Sequence, residues 1–218
     1  MMKKTLIAAS IAALSAGFVA APAFAEVAGH VGATLAQPTN SDLDTMMTLE
    51  AGVEYSHESG AYAGLLFTTM DLLDSDSEFK QSEIELNLGY AGAINDAAGY
   101  DAGLTYTIPM DSDADAEYEL YFGGNYSVNE ALGVSAYFYL PEADDSIYLE
   151  FGADYALDAV DLFALLTLGV QDASEGDTAL ELGVGKEIMP QQYVTGAFAL
   201  NLDDSDASYL EFTYTYSW

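Results

Sequence analysis

The last ten residues, Tyr209-Leu-Glu-Phe-Thr-Tyr-Thr-Tyr-Ser-Trp218, alternate large apolar side chains with smaller or polar ones. One set of alternate positions reads Leu210, Phe212, Tyr214, Tyr216 and Trp218. The other set reads Tyr209, Glu211, Thr213, Thr215 and Ser217. Successive side chains of a β-strand point to opposite faces, so this stretch predicts a strand with one apolar and one polar face.

The same alternation recurs throughout the chain from residue 26 onward. Glycines and β-branched or aromatic residues in these windows favour strands over helices. The sequence therefore predicts an all-β meander of about twelve strands, near 26–36, 45–57, 61–70, 82–93, 100–109, 116–128, 133–140, 146–157, 160–170, 178–188, 192–202 and 207–218.

Residues 1–25 have the pattern of a secretory signal peptide. A basic start with Lys3 and Lys4 precedes an apolar run from Leu6 to Ala20, and Ala23-Phe24-Ala25 is a small-x-small cleavage site. We predict cleavage after Ala25, which leaves residues 26–218 as one domain. No later stretch is apolar over the roughly 18 residues that a transmembrane helix needs.

Charge and composition exclude several classes of function. The chain has 36 acidic residues against 4 lysines, no arginine and a formal net charge of -32. Such a charge repels phosphate backbones, so nucleic-acid binding is excluded. The absence of cysteine excludes disulfide-stapled modules and Cys-ligated metal sites. The 16 tyrosines and 10 phenylalanines supply enough apolar surface for a folded domain, unlike a disordered acidic tail.

The connections between the predicted strands differ at the two ends of the meander. Counted from the first strand, the odd-numbered connections are rich in aspartate, whereas the even-numbered ones are less charged and often shorter. Outer-membrane barrels have this asymmetry, and an even strand number leaves both chain ends on the short-turn side. The predicted fold is a transmembrane antiparallel up-and-down β-barrel in the outer membrane of a Gram-negative bacterium.

The final residue, Trp218, is in phase with the apolar face of the last strand. It resembles the C-terminal aromatic signature of bacterial outer-membrane proteins, which serves as an assembly signal. The expected partners are therefore outer-membrane lipid, lipopolysaccharide and the barrel-assembly machinery.

Four stretches follow one another in an order that resembles a known family. They are Tyr55-Ser-His-Glu-Ser-Gly-Ala-Tyr-Ala-Gly64, Glu83-Ile-Glu-Leu-Asn-Leu-Gly-Tyr-Ala-Gly92, Tyr106-Thr-Ile-Pro109 and Glu117-Tyr-Glu-Leu-Tyr-Phe-Gly123. The likeness is to the Gcw_chp family of proteobacterial exported proteins, and it spans residues 27–170. It implies an outer-membrane location but no substrate and no catalytic residue. The family usually carries an Arg-Gly element after its first strand, which this chain lacks.

The polar faces of the predicted strands carry many carboxylates and almost no base. If the apolar faces contact lipid, the carboxylates point into the lumen, and acidic rings select cations in pores. We therefore predict a passive, porin-like, cation-favouring channel. Its predicted pore-lining acids are Glu50, Glu54, Glu83, Glu85, Asp101, Glu117, Glu119, Glu150, Asp154, Glu181 and Glu211, with Asp161 and Glu187 on the same faces.

Two Asp-rich connections suggest weak divalent-cation sites, since Ca²⁺ and Mg²⁺ prefer oxygen ligands. They have neither the glycine nor the glutamate of an EF-hand loop, so any Ca²⁺ or Mg²⁺ is expected to bind weakly, between loops or to lipopolysaccharide phosphates. Solvated loops that deter aggregation are the alternative. The candidate ligands are Asp111, Asp113 and Asp115 in one connection and Asp203, Asp204 and Asp206 in the other.

The sequence leaves two alternatives to a channel. One is a non-conducting structural or adhesive barrel whose acidic loops bind cations, with Tyr121, Tyr137, Tyr139 and Phe163 filling the interior. Another is a soluble periplasmic barrel that binds a small apolar ligand. An enzyme is not predicted, because His57-Glu58-Ser59 falls at a turn where the three side chains are expected to diverge.

Overall fold

The computed structural model describes residues 26–40, 43–69, 72–73, 82–110, 115–142, 147–171, 178–203 and 208–218. The predicted signal peptide, residues 1–25, lies outside them. Twelve strands make up the fold: β1 (Glu26–Pro38), β2 (Met46–Ser56), β3 (Ala61–Thr68), β4 (Glu83–Asn95), β5 (Ala98–Pro109), β6 (Glu117–Ser127), β7 (Leu132–Pro141), β8 (Ile147–Ala156), β9 (Asp161–Gln171), β10 (Ala179–Met189), β11 (Gln192–Asn201) and β12 (Tyr209–Ser217).

Each strand pairs antiparallel with its neighbours in sequence, and β1 pairs with β12 to close the barrel. The closing register runs from His30 opposite Ser217 to Pro38 opposite Tyr209. The prediction of an antiparallel barrel of about twelve strands is confirmed. The observed boundaries differ by a few residues: β3 ends at Thr68, and β5 begins at Ala98, before its predicted start.

The two rims of the barrel differ in the length of their connections. Five connections of two to four residues, 57–60, 96–97, 128–131, 157–160 and 190–191, form what we call the turn rim. The other six, of five to fourteen residues, form the loop rim. Both ends of the described chain lie at the turn rim, as the even strand number requires. Within the described ranges, no helix is long and apolar enough to cross a membrane.

Two turns contain a residue with positive φ. Gly60, with φ of 96°, closes the turn between β2 and β3 by donating its N–H to the His57 carbonyl at 2.8 Å. Gln191, with φ of 69°, follows Pro190 between β10 and β11. Its N–H donates to Glu187 Oε1 at 3.0 Å, so this carboxylate stabilises a turn that a non-glycine residue adopts at a cost.

The outward face of the barrel is apolar. Residues paired across antiparallel strands share a face, so the register assigns every strand position to the inside or the outside. The outward positions include Leu88, Leu182 and Phe212, which are 56%, 50% and 58% exposed. On this face Lys186 is the charged residue, opposite Val194 near the turn rim. The outer surface of the barrel is therefore mainly apolar, and most of its polar side chains lie on the inward face.

Six of the exposed aromatic residues on the outward face lie near the turn rim. They are Tyr55, Tyr90, Tyr100, Tyr126, Tyr155 and Trp218. Trp218 accepts a hydrogen bond from the Gly29 N–H at 3.1 Å and donates its own N–H to the Gly29 carbonyl at 2.9 Å. Its ring stacks on Tyr216 with centroids 5.9 Å apart. Amphipathic aromatic rings at this height are typical of the interfacial girdle of a membrane barrel.

The interior near the loop rim contains a small packed core. Ala36, Ala199 and Tyr209 are buried together there, and Met46 packs against them. These residues come from β1, β2, β11 and β12, so the core stabilises the seam where the barrel closes.

Candidate functional site

All the carboxylates predicted to line the pore lie on the inward face by register. Glu50 is opposite Gly32, Glu85 is opposite Thr107 and Glu211 is opposite Ala36, and each of the others pairs in the same phase. Their role in conduction stays a prediction. They are not equivalent, however. Glu187 binds the backbone of a turn, and Glu83 and Glu117 lie at the first residues of their strands on the loop rim.

Six glutamates form a ring inside the barrel, one on each even-numbered strand. Each lies two to four residues from the loop-rim start of its strand. We call this set the glutamate ring: Glu50, Glu85, Glu119, Glu150, Glu181 and Glu211.

Neighbouring members of the glutamate ring are close enough to repel one another. Glu85 interacts with both Glu50 and Glu119. Glu150 interacts with Glu119 and Glu181, and Glu181 with Glu211. The ring therefore places six carboxyl groups at one level of the inward face, in the half nearer the loop rim.

Inward side chains are closely packed at part of the glutamate ring. Glu150, Glu181 and Glu211 are only 6%, 7% and 3% exposed. Beside them Tyr139 is 3% exposed and stacks on Tyr148, with centroids 4.5 Å apart and planes at 11°. Carboxylates with so little access to water need compensating donors or cations.

Tyrosine hydroxyls supply part of that compensation. Tyr148 donates to Glu119 Oε2 at 2.7 Å. Tyr62 donates to Asp101 Oδ1 at 2.7 Å and also contacts the hydroxyl of Tyr121. These donors are neutral, so they satisfy the oxygen lone pairs without cancelling the negative charge.

Basic side chains are scarce on the inward face. Among the strand residues that the structure describes, His30 is the basic side chain found there, with Nε2 3.7 Å from Glu50 Oε1. Lys186 points outward. On the described inward face, carboxyl groups therefore far outnumber basic side chains.

Large inward side chains lie against the barrel wall over glycines of the neighbouring strand. Tyr62 covers Gly89, and Tyr121 covers Gly103, the glycine directly opposite Gly89. The missing Cβ atoms leave space that these rings occupy. Tyr137 over Gly123, Phe163 over Gly183 and Tyr193 over Gly185 repeat this arrangement. The rings thus occupy less of the central lumen than rings that project towards the barrel axis.

We expect Gly89→Ala to lower the free energy of unfolding by about 1–2 kcal/mol, because its Cβ would overlap the Tyr62 ring. Gly64→Ala is the matched control, since the nearest atoms to its Cβ would be 3.6 Å away. Urea unfolding in lipid vesicles measures both. In a Tyr62→Ala background the cost of Gly89→Ala should disappear; a cost that persists there would contradict contact with the ring.

The predicted divalent-cation ligands lie mostly outside the described residues, which exclude Asp111, Asp113, Asp204 and Asp206. Asp115 is exposed. Asp203 Oδ2 accepts the Thr178 N–H at 2.9 Å and so braces the loop rim. In the described ranges, no group of three or more His, Asp or Glu residues could hold a metal ion. Calcium or magnesium binding at the loops stays a prediction.

The expected divergence of the His57-Glu58-Ser59 side chains is wrong for two of them. His57 Nδ1 lies 2.9 Å from Ser59 Oγ and also accepts the Ser59 N–H at 3.1 Å. Both contacts are local to a four-residue turn, in which a ring nitrogen takes the place of a backbone acceptor. The pair stabilises the turn at the surface.

Tyr62, Tyr148, Tyr193 and His30 are residues that sequence reasoning missed as components of this site, whereas Tyr121, Tyr137 and Tyr139 were expected in the interior and lie on the inward face. A signal was available at Tyr148, which lies two residues from Glu150 and so on the same face of its strand; β3 and β11 carry no acidic residue that could have revealed the phase of Tyr62 and Tyr193.

The fold is similar to solved outer-membrane barrels. The KdgM porin in complex with disordered oligogalacturonate superposes with a TM-score of 0.65 at 11% identity, covering 87% of this chain and 99% of that chain. The NanC porin gives 0.60 at 10% identity, over 87% and 98%. Outer membrane phospholipase A from Escherichia coli gives 0.61 at 12% identity, over 89% and 96%. At these identities the likeness establishes the fold.

Among functionally curated proteins, none has a sequence that matches this chain. The Gcw_chp family model, described as a bacterial protein of unknown function, matches residues 41–217 and so extends beyond the four stretches first compared. The twelve-stranded chain with the glutamate ring therefore belongs to the Gcw_chp family.

Proposed function

We propose that this protein is an outer-membrane channel through which small cations diffuse passively. The glutamate ring is its selectivity element. The observation that carries the proposal is this ring of six carboxylates, linked by mutual repulsion, on an inward face where the described strands supply only His30 as a base.

Location in the outer membrane is part of the proposal. The apolar outward face, the exposed aromatic residues near the turn rim and the short turns all suit a lipid bilayer. Lipid and lipopolysaccharide are the surrounding partners. Trp218 is the residue that the barrel-assembly machinery would read. A polar interior also argues against a soluble barrel that binds an apolar ligand.

Fixed charge in a narrow pore discriminates by sign. Mobile cations compensate the carboxylates, and anions entering the same space meet uncompensated repulsion. The KdgM porin has been solved with the polyanion oligogalacturonate. An acidic lumen disfavours such a solute, so we propose that this chain departs from that porin in what it admits.

We expect the purified protein in a planar bilayer to give a reversal potential of the sign for K⁺ permeation under a KCl gradient. The effect should weaken at high salt, because ions screen the ring. Heat-modifiable gel mobility of the same sample shows that the barrel is folded. A reversal potential of the opposite sign would refute the cation selectivity. A folded barrel without conductance would refute the channel itself.

A closed structural barrel is the second candidate. The low exposure of Tyr139 and of three members of the glutamate ring favours it, because packed side chains at one level can stop ions. A folded sample that inserts into bilayers without conductance is the result that would establish this function.

A further inference from the structure

Phe163 is an aromatic hydrocarbon side chain on an inward face where, apart from a few residues such as Leu66 and Leu165, most large side chains are polar. Of the phenylalanines that the structure describes, it alone is on the inward face; Phe122, Phe151, Phe198 and Phe212 are all outward and exposed. It lies near the turn rim, away from the packed core at the loop rim.

The ring of Phe163 is seated on the backbone of β10. A Cβ at Gly183 would meet Cζ, Cε1 and Cε2 of the ring together, which indicates contact through a face of the ring. The opposite face is then directed to the lumen. The face of an aromatic ring carries partial negative charge and attracts cations.

A tyrosine and a carboxylate lie over the same strand. Tyr193, from β11, covers Gly185. Its hydroxyl donates to Asp161 Oδ2 at 2.6 Å, and Asp161 is the residue paired with Gly185 from β9. The rings of Phe163 and Tyr193 thus lie over Gly183 and Gly185 of β10, and the Asp161 carboxylate lies beside them.

Two aromatic rings beside a carboxylate match the chemistry of an organic ammonium ion. Its positive charge pairs with the carboxylate, and its apolar substituents, which hold water weakly, contact the rings. Hydrated K⁺ or Mg²⁺ gains less from such rings, because these ions keep their water shells.

We propose that Asp161, Phe163 and Tyr193 form a binding site for organic ammonium ions at the turn-rim half of the lumen. The substrate class of the channel is then organic cations, an inference that rests on the proposed function. A tyrosine and a carboxylate recur on the far wall, where Tyr62 over Gly89 donates to Asp101. An entering ammonium ion meets an aromatic surface with a carboxylate on both sides of the barrel.

Tetramethylammonium chloride is the probe. We expect its methyl proton resonance to move upfield and saturate on titration with the detergent-folded barrel, because the protons lie over ring faces. Phe163→Leu should weaken binding about two- to fivefold, the usual worth of one such contact. Asp161→Asn should weaken it about fivefold or more through lost charge attraction. Phe163→Tyr should retain binding.

Phe151→Leu is the matched control, since Phe151 is an outward phenylalanine on the neighbouring β8. Asp158→Asn, in the exposed turn 157–160, is the control for charge. An unsaturable shift, or equal weakening by Phe151→Leu and Phe163→Leu, would overturn the site. Binding needs no conduction, so a folded barrel that binds the probe but carries no current refutes the channel alone. Cation current without binding refutes the ammonium site alone.

Discussion

Leu88→Arg is expected to lower the free energy of unfolding in lipid vesicles by about 2–4 kcal/mol, the cost of a basic side chain on the lipid face at the middle of a barrel. Leu88 lies midway along β4, on the outward face, and is 56% exposed. In lipid, that exposed surface contacts hydrocarbon, where a guanidinium loses its water. Urea unfolding followed by Trp218 fluorescence measures the change, because Trp218 is the single tryptophan of the chain.

Asn87→Arg is the paired variant on the opposite face of the same strand. It loses the 2.7 Å hydrogen bond that Asn87 Oδ1 accepts from Thr105, which is worth about 1 kcal/mol. The new charge, however, lies two residues from Glu85, a member of the glutamate ring. We expect Asn87→Arg to cost well under half as much as Leu88→Arg. Equal costs for the two variants would show that the assignment of faces, and the membrane location with it, is wrong.

Removal of half the charge of the glutamate ring should reduce the ratio of K⁺ to Cl⁻ permeability about tenfold. The variant is Glu150→Gln with Glu181→Gln and Glu211→Gln. At the dielectric of water and 0.1 M salt, a carboxylate roughly 8 Å from a passing ion attracts K⁺ and repels Cl⁻ by about 0.23 kcal/mol each, so three carboxylates shift the ratio by about 1.4 kcal/mol, a factor of about ten. Reversal potentials under a KCl gradient measure the ratio, and the difference between variant and parent should shrink as salt is raised.

The control for that experiment removes the same number of charges at the turn rim. Glu58→Gln, Glu130→Gln and Asp158→Asn change exposed residues of three turns and leave the lumen intact. We expect a ratio within about twofold of the parent, because exposed charges beyond the pore are screened within about 10 Å at 0.1 M salt. A loss as large as that of the ring variant would indicate that net charge, and not the ring, sets the selectivity.

Strand number and the two faces of each strand were predictable because both follow from alternation with a period of two. The final strand shows why: Leu210, Phe212 and Tyr214 are exposed, whereas Tyr209 and Glu211 are buried. A shift of one residue would reverse every one of these positions, so a lipid-facing strand tolerates little ambiguity. The same phase assigns Glu50 and Glu181 to one face before any coordinates are known.

The height of each residue along the barrel was not predictable, because it depends on the stagger between strands. That six glutamates share one level follows from pairings such as Glu181 with Ala199 and Glu211 with Ala197. The seating of Phe163 on Gly183 needs a neighbour from another strand, which alternation within one strand does not reveal. At His57 a local contact was missed. Its side chain was expected to diverge from Ser59, but the ring hydrogen-bonds to Ser59 within the same turn.

The hydrogen bonds between Gly29 and Trp218 join the first strand to the last. A barrel cannot be partly closed. Until the first and last strands pair, each is an edge strand with a full row of unpaired backbone N–H and C=O groups. Closure also brings together residues almost two hundred positions apart, which makes it slow on entropic grounds. The barrel is therefore expected to close only after the last strand is available, and a chaperone is expected to cover both edge strands until then.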